Sequence, residues 1–176
     1  MLINNKELPP IGLGTYGMGG TNREADTTHD QRDIDALRYA FDGGFRFVTG
    51  AEVYGAGHTD ELIGKAVQGY DDIIVASKLG EYSLAHPEII PTIARTIARR
   101  LGRPVIDLLS VHWPYPGTVM REYLPVMHQL TDLEIVGDIG VSNFNTEQLQ
   151  EALDITDALN AERDLTWQRP YRIAAI

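Results

Sequence analysis

The chain has 176 residues, no cysteine, and 15 Lys+Arg against 25 Asp+Glu, a formal charge of −10. That length fits one domain with a substantial core, and 43% hydrophobic content is that of a folded chain and not a disordered one. The absence of cysteine excludes a disulfide framework, a thiolate metal site and a cysteine nucleophile; the acidic balance argues against nucleic acid; and no apolar run of about 18 residues offers a membrane span.

The opening MLINNKELPP lacks the basic and apolar regions of a secretory signal, so the expected compartment is the cytoplasm. Leu2-Ile3, Asn4-Asn5-Lys6 and Glu7-Leu8 read as a small hairpin with asparagine at its turn. Residues 11–15 form a short apolar strand, and residues 17–28 a polar, glycine-rich loop. Helical spacing of Ile34, Leu37 and Phe41 predicts a helix over residues 30–41, ended by Gly43-Gly44. Residues 45–49 are the next strand. A helix then starts at Thr59, a plausible N-cap, and runs through Val67.

Residues 72–76 and 105–112 are continuously apolar strands. A helix carrying Ile93, Ile97 and Leu101 separates them. Residues 119–133 are helical, 138–142 extended, and a further helix begins near Asn145-Thr146. Residues 165–168 read as the start of a sixth strand. Alternating apolar strands and amphipathic helices define an α/β fold with a parallel sheet. The choice lies between a doubly wound sheet and a (β/α)8 barrel. Gly12-x-Gly14-x-x-Gly17 matches a dinucleotide-binding fingerprint literally, but it opens a loop and not a helix, and no suitable acidic strand end follows.

Polar residues gather where the strands end. Thr49, Glu52 and Tyr54 follow the second strand, Lys78 ends the third, His112-Trp113 the fourth and Ser142-Asn143 the fifth. In a barrel these ends share one face, the face that holds active sites. A phenol is a poor acid at neutral pH, and a nearby ammonium makes it a better one. An imidazole beside it can orient a carbonyl. Serine, asparagine and glutamine can hold a carboxamide. His29, His58, His86 and His128 show no metal-ligand spacing and read as surface or loop residues.

The segments GLGTYGMGG, GAEVYGAGHTDELIGKAV, IIVASK, RRLGRPVIDLLSVHWP and IGVSNF, in this order and each at a strand end, resemble the aldo-keto reductases. The resemblance covers essentially all of residues 1–176. It implies a (β/α)8 barrel and NADPH-dependent reduction of aldehydes and ketones. It implies Tyr54 as general acid, Lys78 as the lysine that lowers the phenol pKa and His112 as the residue that orients the substrate. It places Gly14, Thr15, Tyr16, Ser142, Asn143 and Gln168 against the cofactor, and Trp113 in the substrate pocket.

Two departures stand out. The family has aspartate five residues before its tyrosine, where this chain has Thr49, so Lys78 is expected to lack its charged partner and to lose basicity. Glu52 is a candidate substitute. Trp167 stands where the family has asparagine. The second departure is extent. About five βα units and one strand are present, whereas a whole barrel takes about 250 residues. The loops that hold the cofactor phosphates in the family lie beyond them. The expected molecule is an incomplete barrel with a hairpin at its N-terminus. Its open edges call for an oligomer or a second chain to complete the barrel. A remnant without catalysis and a half-barrel that binds a partner are the rival readings.

Overall fold

The computed structural model describes residues 1–21, 23–166 and 168–175. Trp167 lies outside them. A hairpin comes first: β1 (Leu2–Ile3) pairs antiparallel with β2 (Lys6–Glu7). Asn4 and Asn5 take φ of 47° and 61°, the left-handed pair that a two-residue turn requires and asparagine tolerates.

Six parallel strands follow: β3 (Leu13–Gly14), β4 (Phe47–Thr49), β5 (Ile74–Leu79), β6 (Ile106–Val111), β7 (Val136–Val141) and β8 (Ile173–Ala175). Helices connect them: α1 (Asp30–Asp42), α2 (His58–Ala66), α3 (Glu81–Ala85), α4 (Ile90–Arg100), α5 (Met120–Asp132) and α6 (Thr146–Ala161). Each strand pairs with its sequence neighbours, in the order β3-β4-β5-β6-β7-β8. The order never reverses, so the sheet is not doubly wound. This is the winding of a (β/α) barrel over six of its strands.

Alternation along the strands separates two apolar layers. Val48, Val75, Leu109 and Ile139 meet Leu37, Ile63, Ile97 and Leu124 of the helices. Phe47, Ile74, Ala76, Leu108 and Ala174 face inward and are met by Ile3 of the hairpin. The hairpin plugs the end of the sheet where the strands begin. Asn4 donates its backbone N–H to Asp138 at 2.6 Å and its side-chain amide to Asp107 at 2.8 Å. Asp107 also faces Lys6 and Arg103, each at 3.2 Å, and accepts from the Val75 N–H at 2.9 Å.

Three expectations need correction. The sixth strand is Ile173–Ala175, not residues 165–168. Asp164 instead accepts from the Thr166 N–H at 3.1 Å, and its carbonyl accepts from the Gln168 N–H at 3.0 Å. Thr59 does not cap α2. Its hydroxyl donates to the Met18 carbonyl at 2.6 Å, and the cap is Gly57 at φ 94°. A side chain at Gly57 would collide with the Arg100 guanidinium as well as strain the backbone. His128 is buried, bonded to Thr156 at 3.0 Å and stacked on Tyr171 with ring centroids 4.7 Å apart. His58 is also largely covered, between Asp30 at 2.8 Å and Glu61 at 3.1 Å.

Candidate active site

The pleat and the register assemble the site. Thr49 ends β4 two residues after the inward Phe47, and Lys78 lies two residues after the inward Ala76. Lys78 pairs with Ser110 of β6, and His112 is one inward step beyond Ser110. Tyr54 opens a tight turn, Tyr54–Gly57, in which Gly55 and Ala56 take φ of 54° and 52° as the chain passes from β4 to α2. All four side chains therefore converge at the C-terminal ends of neighbouring strands.

The Tyr54 hydroxyl lies 3.3 Å from His112 Nε2. Lys78 Nζ is 5.4 Å from the Tyr54 ring centroid, and it donates to Thr49 Oγ1 at 2.8 Å and to the Gly50 carbonyl at 2.6 Å. Tyr16 meets Tyr54 edge-on, with centroids 5.2 Å apart. A cavity of about 560 Å³ opens above them, lined by Tyr16, Tyr54, His112, Trp113 and Tyr115. Trp113 is half-exposed at its rim.

The electrostatics follow from burial. Lys78 is 8% exposed, and desolvation pulls its pKa down to about 8 against a weaker opposing pull from Asp60. Thr49, a neutral acceptor, brings Lys78 no charge to offset that burial. Burial, then the charge of Lys78, lower His112 to about 4, so its imidazole is neutral at pH 7. His112 Nδ1 is buried and has no hydrogen-bond partner among the described residues. A bare lone pair there costs less than an orphaned N–H, which favours the tautomer with the proton on Nε2. Burial, then Tyr16, hold the Tyr54 phenol above its ordinary value. The expected depression of that phenol by Lys78 is not found.

The remaining expected residues divide. Asn143, at φ 62°, donates to the His112 carbonyl at 2.8 Å and to Ser142 Oγ at 3.1 Å, so the pair forms a polar ledge beside the cavity. Gly14 ends β3, and Thr15 is buried with its hydroxyl donated to the Thr49 carbonyl at 3.0 Å. Thr15 thus ties two strand ends together. Gln168 does not join the site. Its neighbour Arg169 bonds the Gly137 carbonyl near the start of β7. Ser142 is five residues further on, roughly 17 Å along an extended strand. Glu52 does not replace the missing carboxylate beside Lys78, because it accepts from the Gly80 N–H at 2.7 Å and from Ser83 Oγ at 2.8 Å.

Sequence reasoning missed Asp60. It is fully buried on α2 and accepts from Ser77 Oγ at 3.2 Å. Burial pushes its carboxyl up to about 7 against the Ser77 bond and the charge of Arg100. Its sequence context, a threonine and a glutamate at a helix start, reads as an ordinary solvated first turn.

A sequence profile of the aldo/keto reductase family matches residues 10–166. Aldo-keto reductase YhdN of Bacillus subtilis (strain 168) is 34% identical over 178 aligned positions, covering 95% of this chain and 51% of that protein. 2,5-Diketo-D-gluconic acid reductase B of Corynebacterium sp. (strain SHS752001) is 31% identical, over 85% of this chain and 52% of that protein. Among solved structures, the thermostable aldo-keto reductase Tm1743, in complex with the inhibitor epalrestat, superposes with a TM-score of 0.82 at 32% identity, covering 88% of this chain and 57% of that one. An aldo/keto reductase from Klebsiella pneumoniae in complex with NADP and acetate gives 0.74 at 30% identity, covering 83% and 49%. The chain belongs to the aldo/keto reductase family. It spans about half the length of the curated relatives it matches.

Proposed function

We propose that these residues are the carbonyl-reducing part of an NADPH-dependent aldo/keto reductase, acting on a small aldehyde or ketone. The observation that carries the reading is the contact of the Tyr54 hydroxyl with His112 Nε2 at 3.3 Å, with Lys78 beside the ring, at the mouth of a largely aromatic cavity. Reduced nicotinamide would supply the hydride. The Ser142 hydroxyl and the side-chain oxygen of Asn143 fit a carboxamide, one as donor and one as acceptor. The Klebsiella complex with NADP supports that cofactor. The reading rests on Ser142 and Asn143 and not on Gln168.

In this reading a neutral His112 donates its Nε2–H to the Tyr54 oxygen or to the substrate carbonyl oxygen. The Tyr54 proton is then free to move onto that oxygen as the carbonyl carbon is reduced. The protonated Lys78 stabilises the phenolate left behind. The aromatic walls, Tyr16 and Trp113 included, would shield the carbonyl from water.

A second reading has one observation in its favour. The Tyr54 phenol is held above its ordinary value and Lys78 lacks a carboxylate beside it, which fits a site that binds a carbonyl ligand with little turnover. Titration of the purified chain with NADPH, read by nicotinamide fluorescence, and aldehyde-dependent loss of absorbance at the reduced-nicotinamide band separate the two. Saturable binding with turnover supports the reductase. Binding without turnover supports the second reading. No binding up to about 1 mM, an affinity near 4 kcal/mol, overturns both for this chain alone and turns attention to a partner along the edges of β3 and β8.

A further inference from the structure

Lys78 keeps a buried amine between two neutral acceptors, Thr49 Oγ1 and the Gly50 carbonyl. Asp60 is fully buried on the other side of the same strand layer. Its carboxylate takes hydrogen bonds at 3.2 and 3.4 Å from Ser77, whose side chain leaves β5 on the face opposite to that of Lys78. Gly50 stands between them. Its carbonyl holds the amine, and a Cβ on it would lie 2.7 Å from Asp60 Oδ1. Only a residue without a side chain lets the carboxylate come this close to the peptide that binds Lys78.

We propose that Asp60 is a positioning residue that keeps Lys78 protonated across the Gly50 peptide. It would act through Lys78 on Tyr54, without touching a substrate, so its place in the reaction rests on the reading of Lys78 given above. Among the described residues, three other charged or titratable groups act on Asp60: Lys78 from β5, Arg100 from α4, and Glu52 from the segment after β4. Arg100 pulls Asp60 toward its ionised form, and Glu52 opposes it. The network is thus balanced near neutrality, where Asp60 titrates just below Lys78.

The chain has three lysines, Lys6, Lys65 and Lys78, so each can be followed as a separate peptide. Trace acetylation of the intact protein across pH, read by mass spectrometry, gives the titration midpoint of Lys78, with Lys6 of the hairpin as internal reference. Asp60→Asn is expected to lower that midpoint by about one pH unit, the smaller effect of an opposite charge, and so to raise the unprotonated fraction near neutral pH several-fold. Asp60→Glu is expected to restore it. An unmoved or raised midpoint in a folded Asp60→Asn protein overturns the proposal. Should that variant fail to fold, Ser77→Ala decides: it removes the hydroxyl that holds Asp60 ionised and must lower the Lys78 midpoint too, or the proposal fails. A shifted midpoint in a chain without NADPH turnover sinks the reductase reading and leaves Asp60 as the charge partner. Turnover with an unmoved midpoint sinks only the role of Asp60.

Discussion

Thr49→Asp puts a carboxylate where Thr49 Oγ1 now accepts from Lys78 Nζ at 2.8 Å. Lys78 titrates at about 8 in the folded chain, against 10.5 for an ordinary lysine, because burial opposes its charge. Between those values the unfolded chain holds a proton that the folded chain has released, so stability rises with pH across that window. Below it, the buried charge costs the native state about 3 kcal/mol. An opposite charge at this distance raises an amine pKa by about 1 to 3 pH units, recovering about 1–4 kcal/mol before the cost of burying the new carboxylate. The variant is therefore expected to be about 1–2 kcal/mol more stable than the parent at pH 7. The advantage should vanish as the pH approaches 10.5. Urea denaturation of both proteins from pH 6 to 10 measures it. On the proposed function, in which the charged lysine assists Tyr54, carbonyl reduction by the variant should rise in parallel. Equal or lower stability at pH 7, with the Lys78 midpoint still near 8, would refute the account of an amine buried without a carboxylate in contact with it.

Tyr54→Phe should reduce aldehyde turnover by at least about 100-fold, the scale of a lost general acid, while leaving NADPH binding unchanged in a fluorescence titration. Asn145→Ala removes the α6 capping box, in which Asn145 and Gln148 exchange side-chain-to-backbone bonds at 2.8 and 3.0 Å, and should cost about 1 kcal/mol in thermal or urea unfolding. Asp107→Ala strips the common acceptor of Asn4, Lys6, Val75 and Arg103 and should cost about 3–5 kcal/mol in the same assay. Burial opposes the charged form of His58, but hydrogen bonds and attraction from Asp30 and Glu61 outweigh it and raise its pKa. Its stabilising contribution is therefore full below its unfolded value and is lost as pH rises through the folded one. His58→Gln should flatten that dependence in unfolding curves taken from pH 5 to 8.

Patterns that depend on neighbours along the chain could be read directly. The asparagine pair specified the hairpin turn, and apolar runs bounded by glycine and polar residues located five of the six parallel strands. The convergence of Tyr54, Lys78 and His112 followed from one further fact, that parallel strands present their C-terminal ends together. What escaped depends on distant partners. Asp60 looks like any acidic residue in a first helical turn until α2 is laid on β5 and Ser77 covers it. His128 looks like a polar helix position until Tyr171 closes over it. Residues 165–168 have strand-forming composition, but Asp164 offers local acceptors to the Thr166 N–H and the Gln168 N–H, so these donors turn back on the chain and do not reach a neighbouring strand. Gln168 therefore went astray together with the strand assigned to it. The short helix α3 has too few residues to show a period.

The hairpin plug also has a bearing on how the chain reaches this state. Asn4 binds Asp107 and Asp138, partners 103 and 134 residues away. Leaving the ribosome ahead of the sheet, the hairpin would wait through the synthesis of β6 and β7 before its acceptors existed. Two strands of two residues are not stable alone in water. The hairpin would therefore be among the last of these elements to settle, although it is made before the strands that hold it. Closing such long loops is entropically slow, so hydrogen exchange followed during refolding should find the Asn4 amide protected after the amides of β5 and β6.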